Sequence, residues 1–341
     1  MKALVTGAAG FIGGHLVRTL LEDGWDVVGI DNLDDYYSGK ILPGADSTHG
    51  DRFKFVKADI LDLDSIKAEM QGVDVVAHMA AQAGVRFSVR DPLKSHMVNV
   101  VGTLNVLIAA LESGAKRMVN SSSSSIYGNS TNQRPTRETD RPAPVSPYAT
   151  SKLAAEIYCR QFYDLYGLDT VSLRYFTVYG PRQRPDMAIR IFTDRIMKGL
   201  PPQIFGDGEQ TRDFTYVDDA VRGIKSAMTA PALKGASINI AGGRTITVNR
   251  LVNELLTICG RNDLVPEHLP PKAGDVDHTW GNISTAKRLL GWEPTVGIEE
   301  GLRNFVSWYR VSTGDLSVAG DEAEADGTRH ELLVSRPLIT P

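Results

Sequence analysis

Cysteine is almost missing from this chain: the 341 residues include only Cys159 and Cys259, too few for a disulfide framework. Histidine is sparse and scattered. None of the seven (His15, His49, His78, His96, His268, His278, His330) pairs with another at metal-ligand spacing. Metal chemistry is therefore not expected, and each histidine reads as structural or surface. An excess of one charge is lacking too. A net charge of -4 gives no field that draws the molecule to nucleic acid or anionic lipid. No apolar run approaches the roughly 18 residues of a membrane span. The opening Met1-Lys2-Ala3-Leu4-Val5-Thr6-Gly7 lacks a signal peptide's long apolar stretch and reads as a first β-strand. The expectation is a cytoplasmic protein with neither a membrane nor nucleic acid among its partners.

What is present is ordinary globular composition, 42% hydrophobic and 23% charged, long enough for one large or two modest domains. Short β-rich runs alternate with helical ones. Strands are expected at Lys2–Thr6, Asp26–Ile30, Phe53–Lys57, Val73–His78, Arg117–Ser121 and Thr170–Arg174. Helices are expected at Phe11–Glu22, Leu93–Ser113 and Tyr148–Tyr166. Repeated βα units with Val-rich strands argue for an α/β fold, a Rossmann-type doubly wound parallel sheet. After Tyr175 the rhythm breaks, with Pro181, Pro185, Pro201 and Pro202 punctuating shorter elements. The expected division is a first domain over 1–176, rejoined by about 213–242. A smaller α/β substrate-binding lobe takes 177–212 and 243–312, and a polar, acidic tail 313–341 is expected to be mobile.

Gly7-Ala8-Ala9-Gly10-Phe11-Ile12-Gly13 falls between the first strand and its helix. Glycines there permit a tight turn and close backbone approach to a pyrophosphate, and the helix N-terminus offers it unpaired N–H groups. The spacing is GxxGxxG, which alone is also compatible with a merely structural turn. Asp31 strengthens the dinucleotide reading, because it ends the second strand near the roughly 20-residue offset of a ribose-binding carboxylate. Its charge would repel a 2′-phosphate and no Arg or Lys adjoins it, so NAD is preferred over NADP. Asn32 belongs to the same strand end. Asp59, followed by Ile60, reads equally as an adenine contact or a helix cap.

Tyr148-Ala149-Thr150-Ser151-Lys152 puts a phenol and an ammonium on one helix face. A free tyrosine, with pKa about 10, is a poor base at neutral pH, but a nearby lysine favours the phenolate. Such a pair is frequent by chance on a surface; downstream of a dinucleotide fingerprint the catalytic reading prevails. Ser121 to Ser125 directly follow a strand, and one hydroxyl there can bind the reacting oxygen beside Tyr148.

Together, Gly7/Gly10/Gly13, Asp31, the Ser-x-x-x-Tyr-Gly segment, Tyr148/Lys152 and Arg174-Tyr175-Phe176 resemble the extended short-chain dehydrogenase/reductase family of nucleotide-sugar epimerases and dehydratases, over roughly residues 1 to 310. The resemblance implies that Ser123, four residues before Tyr127, is catalytic with Tyr148 and Lys152. It implies that Asn99 supports the cofactor site, that Ala80 and Ala81 line it, and that Arg212 and Lys272 hold a diphosphate. Arg86, Ser124, Ser125, Thr177, Arg184 and Asp275 complete the candidate substrate contacts. Dehydratases of the family carry Asp-Glu after the catalytic hydroxyl residue, and decarboxylases carry Glu. Here Ser124 and Ser125 stand there, which disfavours elimination and favours epimerisation at carbon 4. Thr177, where UDP-glucose 4-epimerases usually have Asn, and the Arg184-Pro185-Asp186-Met187 run are similar to UDP-glucuronate 4-epimerases. The implied activity is NAD-dependent conversion of UDP-glucuronate to UDP-galacturonate. UDP-glucose epimerisation, decarboxylation or one-way 4-keto reduction, and non-catalytic NAD sensing are the alternatives. Trp280-Gly281-Asn282 departs from the family's usual Tyr-Ala-Asp. The family also implies a homodimer through paired helices 93–113 and 148–166.

Overall fold

The computed structural model describes residues 1–36, 50–129, 134–271 and 276–314. In chain order, the first half contains Lys2–Thr6 (β1), Phe11–Glu22 (α1), Asp26–Asp31 (β2), Phe53–Lys57 (β3), Leu63–Glu69 (α2) and Val75–His78 (β4). Val85–Arg90 (α3), Pro92–His96 (α4), Gly102–Glu112 (α5), Arg117–Ser123 (β5), Pro147–Tyr166 (α6) and Asp169–Tyr175 (β6) follow. The second half adds Thr177–Tyr179 (β7), Ala188–Met197 (α7), Gln203–Phe205 (β8), Thr211–Tyr216 (β9), Val217–Thr229 (α8) and Ala236–Ile240 (β10). It closes with Thr245–Thr247 (β11), Val248–Cys259 (α9), Glu267–Leu269 (β12), Ser284–Leu290 (α10) and Ile298–Thr313 (α11).

Seven parallel strands form the central sheet in the order β3-β2-β1-β4-β5-β6-β10. Strand order reverses beside β1, between β1 and β4, and such a switch point opens a crevice at the carboxyl ends of the strands. The Val-rich strands are apolar throughout because helices cover both faces. Ala3 and Val5 of β1 enter one core and Leu4 the other, as the two-residue period requires. This is the doubly wound sheet expected from the βα rhythm.

Three details differ from the sequence expectation. Phe214–Tyr216, taken as the start of a return to the first domain, belongs to β9, which pairs with β7 and β11 in a separate three-stranded sheet. Only α8 and β10 go back, α8 against α1 and β10 beside β6. The long helix expected over 93–113 is broken by a π-helical turn, Met97–Val101. Its cause is visible: Asn99 turns inward to the loop after β4, and a Cβ on Gly102 would lie 2.5 Å from Ile60 Cδ1. Pro92–Glu112 also meets the length and hydropathy of a membrane span (21 residues, mean hydropathy 1.3), contrary to the sequence expectation. Half of it is buried within the fold, against α2 and α6.

Between α5 and α6 lies an apolar groove containing Leu104, Ile108, Leu111, Tyr158 and Phe162, flanked by exposed Ile157, Leu165 and Tyr166. Of the expected tail, residues 315–341 lie outside the described residues.

Candidate active site

The cleft opens where β1 hands over to α1. Gly7 has φ +68°, and a Cβ there would sit 2.7 Å from the backbone nitrogen of Ala80. A Cβ on Gly13 would lie 2.0 Å from the Gly7 carbonyl oxygen. Only glycine fits either place, so loop and helix pack close enough to leave a backbone-lined cradle. The Gly10 N–H closes the turn on the Gly7 carbonyl at 3.0 Å.

Asp31, nearly buried at the end of β2, accepts from Ala9 N–H (3.1 Å) and Leu33 N–H (2.8 Å), fixing its carboxylate beside the cradle. For the next carboxylate the helix-cap reading does not hold. Asp62, not Asp59, caps α2, accepting from Ser65 N–H. Asp59 instead faces the cleft, held by Asn32 Nδ2 and Leu61 N–H, both at 2.9 Å.

Behind the loop after β4 runs a buried polar chain. The Ala80 N–H donates to Thr6 Oγ1, leaving the Thr6 hydroxyl to donate to His78 Nδ1 at 2.7 Å. His78 Nε2–H then donates to Thr103 Oγ1 (3.0 Å), whose hydroxyl donates to the Asn99 carbonyl. Burial pushes the His78 imidazolium down to about 3, so the ring is neutral and its tautomer is set by these bonds. Asn99 accepts from Gln82 N–H (2.8 Å) and donates to Gln82 O and Ser151 Oγ. It therefore braces Gln82, which follows Ala80 and Ala81, without itself lining the cleft.

On the opposite wall stands α6. Ser146 caps it through the Ala149 N–H (3.2 Å) and Pro147 occupies its first position, so the helix starts where Tyr148 must point inward. Tyr148, Lys152 and Glu156 follow at intervals of four on one face. Lys152 Nζ, nearly buried, donates to the Ser121 carbonyl at 2.8 Å, and burial pulls its ammonium down to about 8. Burial pushes the Tyr148 phenol up, while the Arg184 charge and the Ser123 hydroxyl pull it back. Glu156 is ion-paired with Arg174 at 2.8 Å and accepts from Ser122 and Ser237.

The serine run is not a loop. β5 continues to Ser123, whose Oγ accepts from Ser125 N–H (3.2 Å) and Ser125 Oγ (2.8 Å), starting a 3-10 turn.

Gly7, Gly10, Phe11, Ile12, Gly13, Asp31, Asn32, Asp59, Ile60, Ala80, Ala81, Tyr148, Lys152 and Arg184 all line one continuous cleft. Ser121 and Ser122 of the serine run line it too, as do Tyr36, Gln82 and Tyr175, to which sequence reasoning gave no role there. Among the described residues the buried Tyr175 hydroxyl has no hydrogen bond of ordinary geometry, and the Ser121 hydroxyl beside it partly offsets the burial that pushes its phenol up. A glycine cradle, a strand-end carboxylate and the Tyr175 hydroxyl together fit a dinucleotide.

Other candidates lie outside that lining. Arg86 is exposed on α3, Ser123, Ser124 and Ser125 flank the cleft, and Thr177 opens β7 beyond it. Arg212 donates to Thr211 O (2.9 Å) and Asp277 O (3.2 Å) at the small sheet. Lys272 and Asp275 lie outside the described residues. Asp213, beside Arg212, went unread. Fully buried, it accepts from Gly242 N–H (2.7 Å) and Gly281 N–H (3.0 Å) and joins three segments, while burial pushes its carboxyl up to about 7. Gly281, in the departing Trp280-Gly281-Asn282 run, is obligatory here, since a Cβ would meet Ala241 Cβ at 2.4 Å.

Comparison with known proteins decides the family. The NAD dependent epimerase/dehydratase family profile matches residues 3–241. The chain belongs to that family. It is 41% identical, over 314 residues, to the UDP-glucuronate 4-epimerase of Thermodesulfobacterium geofontis, covering 90% of this chain and 95% of that protein. It is 39% identical to the UDP-glucose 4-epimerase of Mycolicibacterium smegmatis over 91% of this chain and 99% of that one. The crystal structure of a Bacillus cereus UDP-glucuronic acid 4-epimerase with UDP-glucuronic acid and NAD superposes with a TM-score of 0.85 at 36% identity, covering 92% of this chain and all of that one. As a member of the NAD-dependent epimerase/dehydratase family, the chain is an enzyme of the epimerase class with NAD as its cofactor.

Proposed function

We propose that this epimerase inverts carbon 4 of UDP-glucuronate, giving UDP-galacturonate through a transient 4-ketone. The observation that carries the reading is Arg184, whose side chain lines the same cleft as Tyr148 and Lys152 while no carboxylate follows Ser123. A guanidinium in that place suits a sugar carboxylate.

Tyr148, as the phenolate, takes the proton of the 4-hydroxyl. Its burial opposes ionisation, so the Arg184 charge and the Ser123 hydroxyl, which favour it, carry the adjustment. Lys152, pinned to the Ser121 carbonyl one turn further on, adds positive charge on the same helix face. NAD, when bound, supplies a reversible hydride acceptor for carbon 4. Between the half-reactions the ketone turns over, and Tyr148 returns the proton as the alcohol re-forms with inverted configuration.

The intermediate from glucuronate is a β-keto acid. If its carboxylate bond aligns with the carbonyl π-system, that electron pair flows into the C4–C5 enolate and CO2 leaves. Arg184, Thr177, Ser124 and Ser125 grip the carboxylate away from that alignment. Ser124 and Ser125 offer no carboxylate base to attack carbon 5. Residues 1–176 with 217–242 hold the cofactor; 177–216 and 243–312 hold the nucleotide, with Arg212 and Lys272 on its diphosphate. The apolar groove between α5 and α6 pairs with its copy in a homodimer, read as twice the 37.2 kDa chain mass in sedimentation; a monomer overturns that pairing.

Pure enzyme incubated with UDP-glucuronate and followed by proton NMR tests the assignment. UDP-galacturonate is the expected product. UDP-xylose in its place, or turnover of UDP-glucose alone, overturns it.

A further inference from the structure

The segment 180–187, which carries Arg184, is held from several sides. Arg18 donates to His15 Nδ1 (3.4 Å), so His15 Nε2–H donates to the Pro181 carbonyl, 2.9 Å away. Gln183 Nε2 donates to the Val178 carbonyl at 3.1 Å, and Arg182 turns the chain with φ +65°. Asp186 then closes on Arg184 itself: its carboxylate accepts from Nε at 2.9 Å and from Nη2 at 3.1 Å. The Tyr36 hydroxyl, from the loop after β2, donates to the same carboxylate at 3.2 Å. The Tyr36 ring lies 6.0 Å below the guanidinium and packs edge-on against Phe87.

A guanidinium offers two flat edges for a carboxylate, Nε with Nη2 and Nη1 with Nη2. Asp186 occupies the first. Among the described residues Nη1 has no hydrogen-bond partner, and the charge reaches Tyr148 across the cleft. We propose that Asp186, steadied by Tyr36, is a positioning residue that fixes the plane of Arg184 and so turns its Nη1 edge to the substrate carboxylate at an angle that protects the keto acid from losing CO2. This rests on the hexuronate reading above. An unanchored arginine still binds a carboxylate, but in many orientations, including those that align the breaking bond with the ketone. Aim, not attraction, is what Asp186 contributes.

The test compares wild type, Asp186→Asn, Asp186→Glu and Tyr36→Phe as NAD-loaded proteins, with kcat and KM for UDP-glucuronate and UDP-glucose. NMR gives the fraction of product that has lost CO2. Asp186→Asn is expected to lower kcat/KM for UDP-glucuronate roughly 10- to 100-fold, mainly through kcat, and to raise the decarboxylated fraction. UDP-glucose turnover is expected to change less than about threefold. Tyr36→Phe shifts both readouts the same way by less, Asp186→Glu restores part of the loss, and these two carry the test if Asp186→Asn fails to fold. Both sugars falling alike with an unchanged product ratio overturns the proposal, leaving Asp186 merely structural. So does tighter UDP-glucuronate binding with the ratio intact, which makes Asp186 a competitor for Arg184. A wild type that turns over UDP-glucose alone overturns the hexuronate reading first, whatever the variants do.

Discussion

Tyr148→Phe is expected to retain NAD and UDP-sugar binding while kcat falls roughly 10²- to 10⁴-fold, the usual range for a lost general base. The substitution removes one oxygen and leaves the ring. The helix start around it depends on Ser146 and Pro147, and Lys152 remains held by the Ser121 carbonyl, so the cleft should keep its shape. Nucleotide-sugar titration by calorimetry and steady-state kinetics separate binding from turnover. A variant with near-wild-type kcat removes Tyr148 from the chemistry; one that loses binding as severely as turnover makes it a shape residue.

Glu156→Ala is the substitution expected to cost most stability. Glu156 and Arg174 are both nearly inaccessible and meet through two guanidinium nitrogens. Arg174 also donates to Tyr127 Oη and the Glu138 carbonyl, neither of which balances its charge. Removing one partner of such a pair typically costs about 3–5 kcal/mol, because the other charge stays buried. The Ser122 and Ser237 hydroxyls lose an acceptor as well. Urea unfolding should show a much lower midpoint with an unchanged slope, partly recovered in Glu156→Gln. A midpoint within error of wild type means the pair adds nothing net. The effect should reach the cleft, since Ser122 lies between the carbonyl that holds Lys152 and the Ser123 hydroxyl.

That pair also shows where sequence reading stopped. Tyr148 and Lys152 were legible because a four-residue interval on a helix fixes their common face. Glu156 continues the same interval, yet its meaning comes from Arg174 on β6, a strand that only the tertiary fold brings alongside. The glycine turn and Asp31 were legible for the same local reason: strand, turn and helix are contiguous in the chain. Asp213 was not, because the amides that converge on it come from Gly242 and Gly281. The π-helical turn was hidden by an unbroken apolar pattern, and what interrupts it is a side-chain bond from Asn99 to a loop after another strand. β9 misled for a different reason. An alternating strand followed by a helix has the same local pattern whether it joins a large sheet or a small one.

The central claim is that configuration at carbon 4 is lost and regained through oxidation at that carbon, driven from the Tyr148 oxygen. UDP-glucuronate carrying deuterium at carbon 4, brought to equilibrium in ordinary water, tests this most directly. The label should stay at carbon 4 in both epimers, with no deuterium released and no solvent proton entering carbon 5. Release of the label to water, or exchange at carbon 5, would contradict it.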